Sequence, residues 1–248
     1  MFRHEGPARD PRLNARIAAY LASNAGFVNS AGIVLTGVFT SHVTGSVGRA
    51  STDAAAGDFS AAFSAVLLVL CFFLGAFAAS LVVEGSSPST PVAYGIALLL
   101  QSGVLAAFLL AVWAFPNSDP RLLDAQAAIL CTAMGMQNSL VTRLSGAVVR
   151  TTHLTGIVTD LGIEVARWYR WHRSRIRLPV LFKGRLPPEK PAAHRAALLF
   201  TIAFWFSVGA FVGAVCAVRA PGLAMMVPAA ATFAAALYAL AQARAEHD

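Results

Sequence analysis

The sequence predicts an all-α polytopic membrane protein. Six transmembrane helices are expected as an inverted three-plus-three repeat, with interrupted segments after helices 1 and 4. Three observations lead there: composition, six long apolar stretches, and a motif written twice. Of 248 residues, 57% are hydrophobic and only 12% charged, with a mean hydropathy of +0.64. A soluble domain carries about 25% charged residues. This chain cannot cover a water-facing surface, so the bilayer is its solvent for most of its length.

Five stretches are apolar enough and close to the ~20 residues a spanning helix needs. They are 60–83, 93–115, 122–142, 196–218 and 223–241. A sixth, 17–39, is less apolar because it carries Asn24 and Asn29, yet it holds no charge. Turn-rich "EGSSPSTP" (84–91), "PNSDP" (116–120) and "RAPG" (219–222) separate neighbouring spans. The predicted organisation is a basic tail (1–16), a first three-helix repeat (17–115) and a second (122–241) that contains a basic loop (160–195). Together these make one membrane domain. The run after the polar tail has no clear small-residue cleavage site, so helix 1 is expected to stay.

The net charge of +7 is concentrated in the tail and the long loop, which is a topology signal rather than a nucleic-acid footprint. Arg3, Arg9, Arg12 and Arg16 lie in the tail. Arg167, Arg170, Arg173, Lys183, Lys190 and Arg195 are among the cations after span four. Six spans put both regions on one side, so both termini are expected in the cytoplasm. In "DLGIEVARWYRWHRSRIRL" (160–178), tryptophans mixed with arginines suit a helix at headgroup level. It reads either as a plain anchor or as a lipid or partner site.

The motif Thr40-x-His42-x-Thr44-Gly45 returns as Thr151-x-His153-x-Thr155-Gly156. Upstream, Gly26 aligns with Gly135, Asn29-Ser30 with Asn138-Ser139, and Gly37 approaches Gly146. In the next spans Gly75-Ala-Phe77 aligns with Gly209-Ala-Phe211. Two echoes in the same order point to duplication. An odd number of spans per copy inverts the second copy, an arrangement that recurs in secondary transporters. The 31 residues from Ile17 to Val47 are too long for one helix across a ~30 Å core. Gly37, Gly45, Gly146 and Gly156 are the expected break points.

His42 and His153 read as a symmetric pair that handles substrate or protons, or as groups tying helix breaks to backbone carbonyls. Thr44, Thr155, Asn29 and Asn138 extend the candidate path, and Gln101, Gln126 and Gln137 join it more weakly. Arg143 and Arg150 either favour an anionic solute or mark the cytoplasmic end of span four. Asp160 and Glu164 read as a solvated face, with Arg167 near enough to neutralise one of them. Cys71, Cys131 and Cys216 lie in apolar runs and read as buried and inert. Two histidines without neighbouring Asp, Glu or Cys make a poor metal site. No phosphate-binding glycine loop or nucleophile elbow is present. No cofactor, no metal and no enzyme activity is expected.

The two motif regions resemble the YoaK-like family (domain of unknown function 1275), six-helix proteins of the bacterial inner membrane. The first half is similar to that family's "GLFTxHVTGN", and the second to its "GMQNxxxxRL…TTHLTGxxTDL", here "GMQNSLVTRL" and "TTHLTGIVTDL". The similarity runs from about Ala25 to Ala241. It implies six spans and an inner-membrane location, and carries no activity. Asn29 stands where the family often has Asp, and Ser46 where it often has Asn.

The reading is a secondary transporter or channel-like permease for a small solute, with an anion among the candidates. The alternative is a membrane scaffold or regulator acting through its basic loop. Expected partners are the lipid bilayer and a small-molecule solute, with a homodimer as one candidate assembly; no nucleic acid is expected.

Overall fold

A chain in hydrocarbon must satisfy its own backbone hydrogen bonds, so the apolar stretches coil. The computed structural model describes residues 11–85, 90–115, 120–144, 154–176 and 189–245. Among them are eight helices: α1 (Pro11–Thr36), α2 (Val43–Ala55), α3 (Phe59–Glu84), α4 (Thr90–Ala114), α5 (Pro120–Leu144), α6 (Leu154–Ile176), α7 (Ala193–Arg219) and α8 (Met226–Arg244). The chain is a polytopic all-α membrane protein. Of the described helices, α1, α3, α4, α7 and α8 are long and apolar enough to cross a membrane.

The fourth of the six expected spans, 122–142, coincides with α5, which does not reach that apolarity. The reason is its position. Gln126, Ala127, Leu130, Cys131, Ala133, Met134, Met136, Gln137, Leu140 and Val141 are all buried. A helix enclosed by protein need not be lipophilic all round. The same inversion separates α1 from α3. The best window of α1 has a mean hydropathy of 1.2 and is 61% buried, whereas that of α3 has 2.8 and is 22% buried. Phe59, Phe63, Phe73 and Phe77 on α3 and Phe200, Phe204 and Phe211 on α7 point outward, as lipid-facing side chains do.

The helices pair chiefly as α1 with α7, α3 with α5, and α4 with α8. Glycine lets two of these pairs touch backbone to backbone. A Cβ on Gly26 would collide with the backbone oxygen of Phe206, and one on Gly209 with that of Ser23. With the halves exchanged the same contacts recur. A Cβ on Gly135 would strike the oxygen of Phe72, and one on Gly75 that of Thr132. Ser23 faces Gly209 and Phe27 faces Gly213, so α1 and α7 run in the same direction. Gly75 faces Thr132 and the Ser80 hydroxyl bonds that of Ser139 at 2.7 Å, so α3 and α5 do likewise. The pair α4 and α8 is antiparallel. Gly95 packs on Leu240, Ser102 Oγ donates to the Ala229 carbonyl at 3.0 Å, and Trp113 Nε1 donates to the Gly222 carbonyl at 2.8 Å.

Two further helices, α2 and α6, are not long and apolar enough to cross a membrane. α2 has no buried residue and packs on α3. It follows the turn at Gly37, whose φ is +76°. Gly57 (φ +84°) then reverses the chain, and Asp58 caps α3 by accepting from the Ala61 amide at 2.9 Å. α6 packs on α7. It begins at Leu154, ahead of the expected stretch 160–178, and takes part of the second motif into its first turn.

Candidate functional site

The first motif folds into a tight hook over the end of α1. Asn29 Oδ1 accepts from the Ser41 amide at 3.2 Å and from Ser41 Oγ at 3.0 Å. Thr40 is tucked beneath, 1% exposed, where only a glycine at position 32 leaves room for its methyl group. The Thr40 hydroxyl oxygen is buried with no hydrogen-bond partner. His42 occupies the N-cap position of α2 without a side-chain capping bond. Its exposed ring stands edge-on to Phe39, centroids 6.1 Å apart, and lies over Gly45.

Gly45 is therefore not a break. It sits inside α2, as Gly156 sits inside α6. Gly45 makes room for the His42 ring, whereas a Cβ on Gly156 would meet nothing within 4 Å. Gly37 is the residue at which α1 gives way. Gly146, Arg150 and His153 lie outside the described residues. Thr44 and Thr155 are exposed in the first turns of α2 and α6. These two helices do not touch, since α2 packs on α3 and α6 on α7. Thr44 and Thr155 are thus not brought together by the helices that carry them.

Asn138 is half-buried on α5, next to Ser139 with its bond to Ser80. Arg143, in the last turn of α5, pairs with Glu84 at the end of α3 through NH1 and Oε1 at 2.5 Å. Its charge is compensated there, which weakens its expected preference for an anion. Glu164 is another departure. It is only 3% exposed, not part of a solvated face, and it bonds Arg167 at 2.8 Å and Arg195 at 3.4 Å. Asp160 stays at the surface, 3.8 Å from Arg195.

The structure gathers a different set. Asn24 of α1, Gln101 of α4, Gln137 of α5 and Thr232 of α8 are all buried where these helices meet. Gln137 Oε1 accepts from Gln101 Nε2 at 3.0 Å and from Asn24 Nδ2 at 3.2 Å. Gln137 Nε2 donates to the Leu21 carbonyl at 2.8 Å, and Thr232 Oγ1 to the Pro228 carbonyl at 2.7 Å. Asn24 Nδ2 also reaches Thr232 Oγ1 at 3.4 Å. One acceptor is left over: Gln101 Oε1 is buried without a partner. Leaving a buried polar atom unsatisfied costs about 1–3 kcal/mol, and a ligand donor would relieve it. The set is uncharged, so it can give and take hydrogen bonds but not protons at neutral pH.

Sequence reasoning ranked these amides below the histidines. The available signal was an uncharged amide or hydroxyl near the middle of several spans, on the face that also carries Leu21, Ala25 and Val28 in α1 and Leu130, Met134 and Val141 in α5. Among the described residues no cluster of three or more His, Cys, Asp or Glu forms. A family model described as "Protein of unknown function (DUF1275)" matches residues 17–238. No curated protein and no solved structure matches the chain.

Proposed function

We propose that this chain, which belongs to the DUF1275 family of proteins of unknown function, is a secondary transporter or channel-like permease for a small polar solute. The observation that carries this reading is the four-helix polar centre of Asn24, Gln101, Gln137 and Thr232, with its unpartnered Gln101 oxygen. Polar groups inside a membrane are costly and commonly mark a solute path. The absence of net charge among these four side chains favours a solute recognised by hydrogen bonds. Asn29 on α1, His42 at the N-cap of α2 and Thr44 in its first turn stand as entrance groups on one side. Thr155 and Asn138 belong to the other half.

The reading includes six spans, with α5 as the fourth. The parallel course of α5 beside α3 supports this, because a helix laid alongside a span over its length shares that span's depth. The exchanged glycine contacts, Gly26 and Gly209 against Gly135 and Gly75, support an inverted repeat. On this topology both termini and α6 face the cytoplasm of a bacterial inner membrane, while α2 lies outside. A homodimer completes the proposal.

Two experiments test it. Single cysteines at position 49 and at position 170, in a background lacking Cys71, Cys131 and Cys216, are labelled with an impermeant maleimide in oriented vesicles. Opposite sidedness is expected; labelling of both from one side removes the sixth span. A metabolite library is then screened by thermal stability, and hits are tested for uptake into proteoliposomes. Uptake that falls at least tenfold in Gln101→Leu, with folding intact, supports the polar centre. Unchanged uptake in Gln101→Leu and in Asn24→Ala would remove it from the path.

A further inference from the structure

One stripe of α6 is turned away from solvent, Leu154, Ile157, Leu161, Glu164, Trp168 and Trp171, spaced three and four apart, and α6 packs on α7. The partners of Glu164 keep this stripe neutral, since Arg167 and Arg195 both reach its carboxylate. Beyond Arg167 the neutralisation stops. A pocket of about 440 Å³ opens between the outer half of α6 and the segment leading into α7. Arg167, Arg170, Glu189, Lys190, Pro191 and Ala192 line it. Three cations and one carboxylate leave the wall with a positive excess, even though Arg167 already serves Glu164.

The pocket has a membrane-facing frame. Lys190 Nζ sits 5.8 Å from the centroid of the Trp171 ring, and Trp171 meets Trp168 edge to face at 5.4 Å. Indole rings favour the depth of lipid headgroups. On the same flank of α6 as Arg167 and Arg170, about one turn before Arg167, Ile163 is exposed, an apolar group placed to meet an acyl chain. From this juxtaposition we infer that Arg167, Arg170 and Lys190 form a binding site for the phosphate of an anionic phospholipid. The lipid's chains run past Ile163 and along the flank of α7. The site is distinct from the polar centre and does not depend on transport.

The size fits a phosphate with its glycerol, since pockets for small ligands run to about 300–1,000 Å³. The chemistry fits as well: guanidinium donates in a planar fork to phosphate oxygens. Glu189 belongs to the same lining and offsets one of the three cations. A free phosphate would use the same donors but gain nothing from Ile163 and the apolar flank of α7.

The test is titration of the purified full-length protein in zwitterionic detergent with phosphatidylglycerol, phosphatidylcholine or inorganic phosphate, following melting temperature and tryptophan fluorescence. A saturable rise with phosphatidylglycerol alone is expected. Arg170→Gln and Lys190→Gln are each expected to weaken half-saturation about tenfold. Arg173→Gln removes the same charge one turn away, outside the pocket lining, and is expected to change it less than twofold. Without lipid, Arg170→Gln should melt as wild type does, because no ion pair among the described residues engages it, and Lys190→Gln should lose no more than its contact with the Trp171 ring. An equal loss in Arg173→Gln would replace the site by diffuse charge attraction. An equal response to phosphatidylcholine, or to inorganic phosphate, would overturn the lipid assignment.

Discussion

Glu164 on α6 and Arg195 on α7 are joined across the helix interface at 3.4 Å, with the carboxylate 3% exposed and the guanidinium 54%. The buried partner depends on the pair more than the exposed one does. Removing Arg195 leaves Glu164 with Arg167 as its described ion-pair partner. Arg195→Ala is expected to destabilise the protein by about 1–2 kcal/mol. That lies below the ~3–5 kcal/mol for breaking a fully buried pair, because water already screens Arg195. Glu164→Gln should cost less than Arg195→Ala, since no buried charge is stranded. Thermal unfolding in detergent of the two single variants and the double variant checks the order.

The glycine seams make a sharper prediction. Gly26→Ala and Gly135→Ala each drive a methyl group into a backbone oxygen, of Phe206 and Phe72 respectively, and backbone cannot step aside. Each is expected to cost about 2–3 kcal/mol, the upper part of the usual overpacking range. Gly162→Ala on α6 meets nothing within 4 Å and should gain about 0.5–1 kcal/mol from helix propensity. A melting series covering the three variants would show two losses and one gain.

The hook after α1 depends on one acceptor atom. Asn29 Oδ1 takes both bonds from Ser41, and a carboxylate can take the same two. Asn29→Asp is therefore expected to preserve stability within about 1 kcal/mol, whereas Asn29→Ala leaves the Ser41 amide unpaired and costs about 1–3 kcal/mol. Protease protection at the 37–42 turn, compared across the variants, reads the hook directly.

Gln137 is the hub of the polar centre and Gln101 a spoke. Gln137→Leu strands the amides of Asn24 and Gln101 and the Leu21 carbonyl. Gln101→Leu removes an oxygen that has no partner. The first should cost about 1–3 kcal/mol. The second should stay within about 1 kcal/mol, in keeping with the modest worth of interhelical bonds in membranes. Chemical denaturation in mixed micelles compares the two, and equal losses would contradict the hub.

Most of the spanning fold was legible in the residues. The stretch predicted at 60–83 is α3 (Phe59–Glu84), and that at 196–218 is α7 (Ala193–Arg219), because hydropathy reports contact with lipid directly. The same measure says less about α5 (Pro120–Leu144), which covers the stretch predicted at 122–142 but has other helices rather than lipid as its setting. It was silent on α2, where "VTGSVGRASTDAA" offers small and polar residues with no apolar run. The repeated motif drew attention to His42, but a motif does not say which way a helix turns. Rotation about the axes of α1, α4, α5 and α8 brings Asn24, Gln101, Gln137 and Thr232 together, and only packing decides that. Glu164 looked like a surface carboxylate because its partner Arg195 is distant in sequence.

The pairing of α1 with α7 also sets a timetable. A ribosome working at about 5–20 residues per second delivers Phe206 on the order of ten seconds or more after Gly26. For that interval the newly inserted first helix presents its Asn24 face and bare glycine seam to whatever lies beside the translocon. A truncated product ending before α7 keeps the seam open permanently and makes a natural target for membrane proteases. Conversely, an N-terminal half and a C-terminal half made as separate chains, each useless alone, should find one another through the same crossed seams.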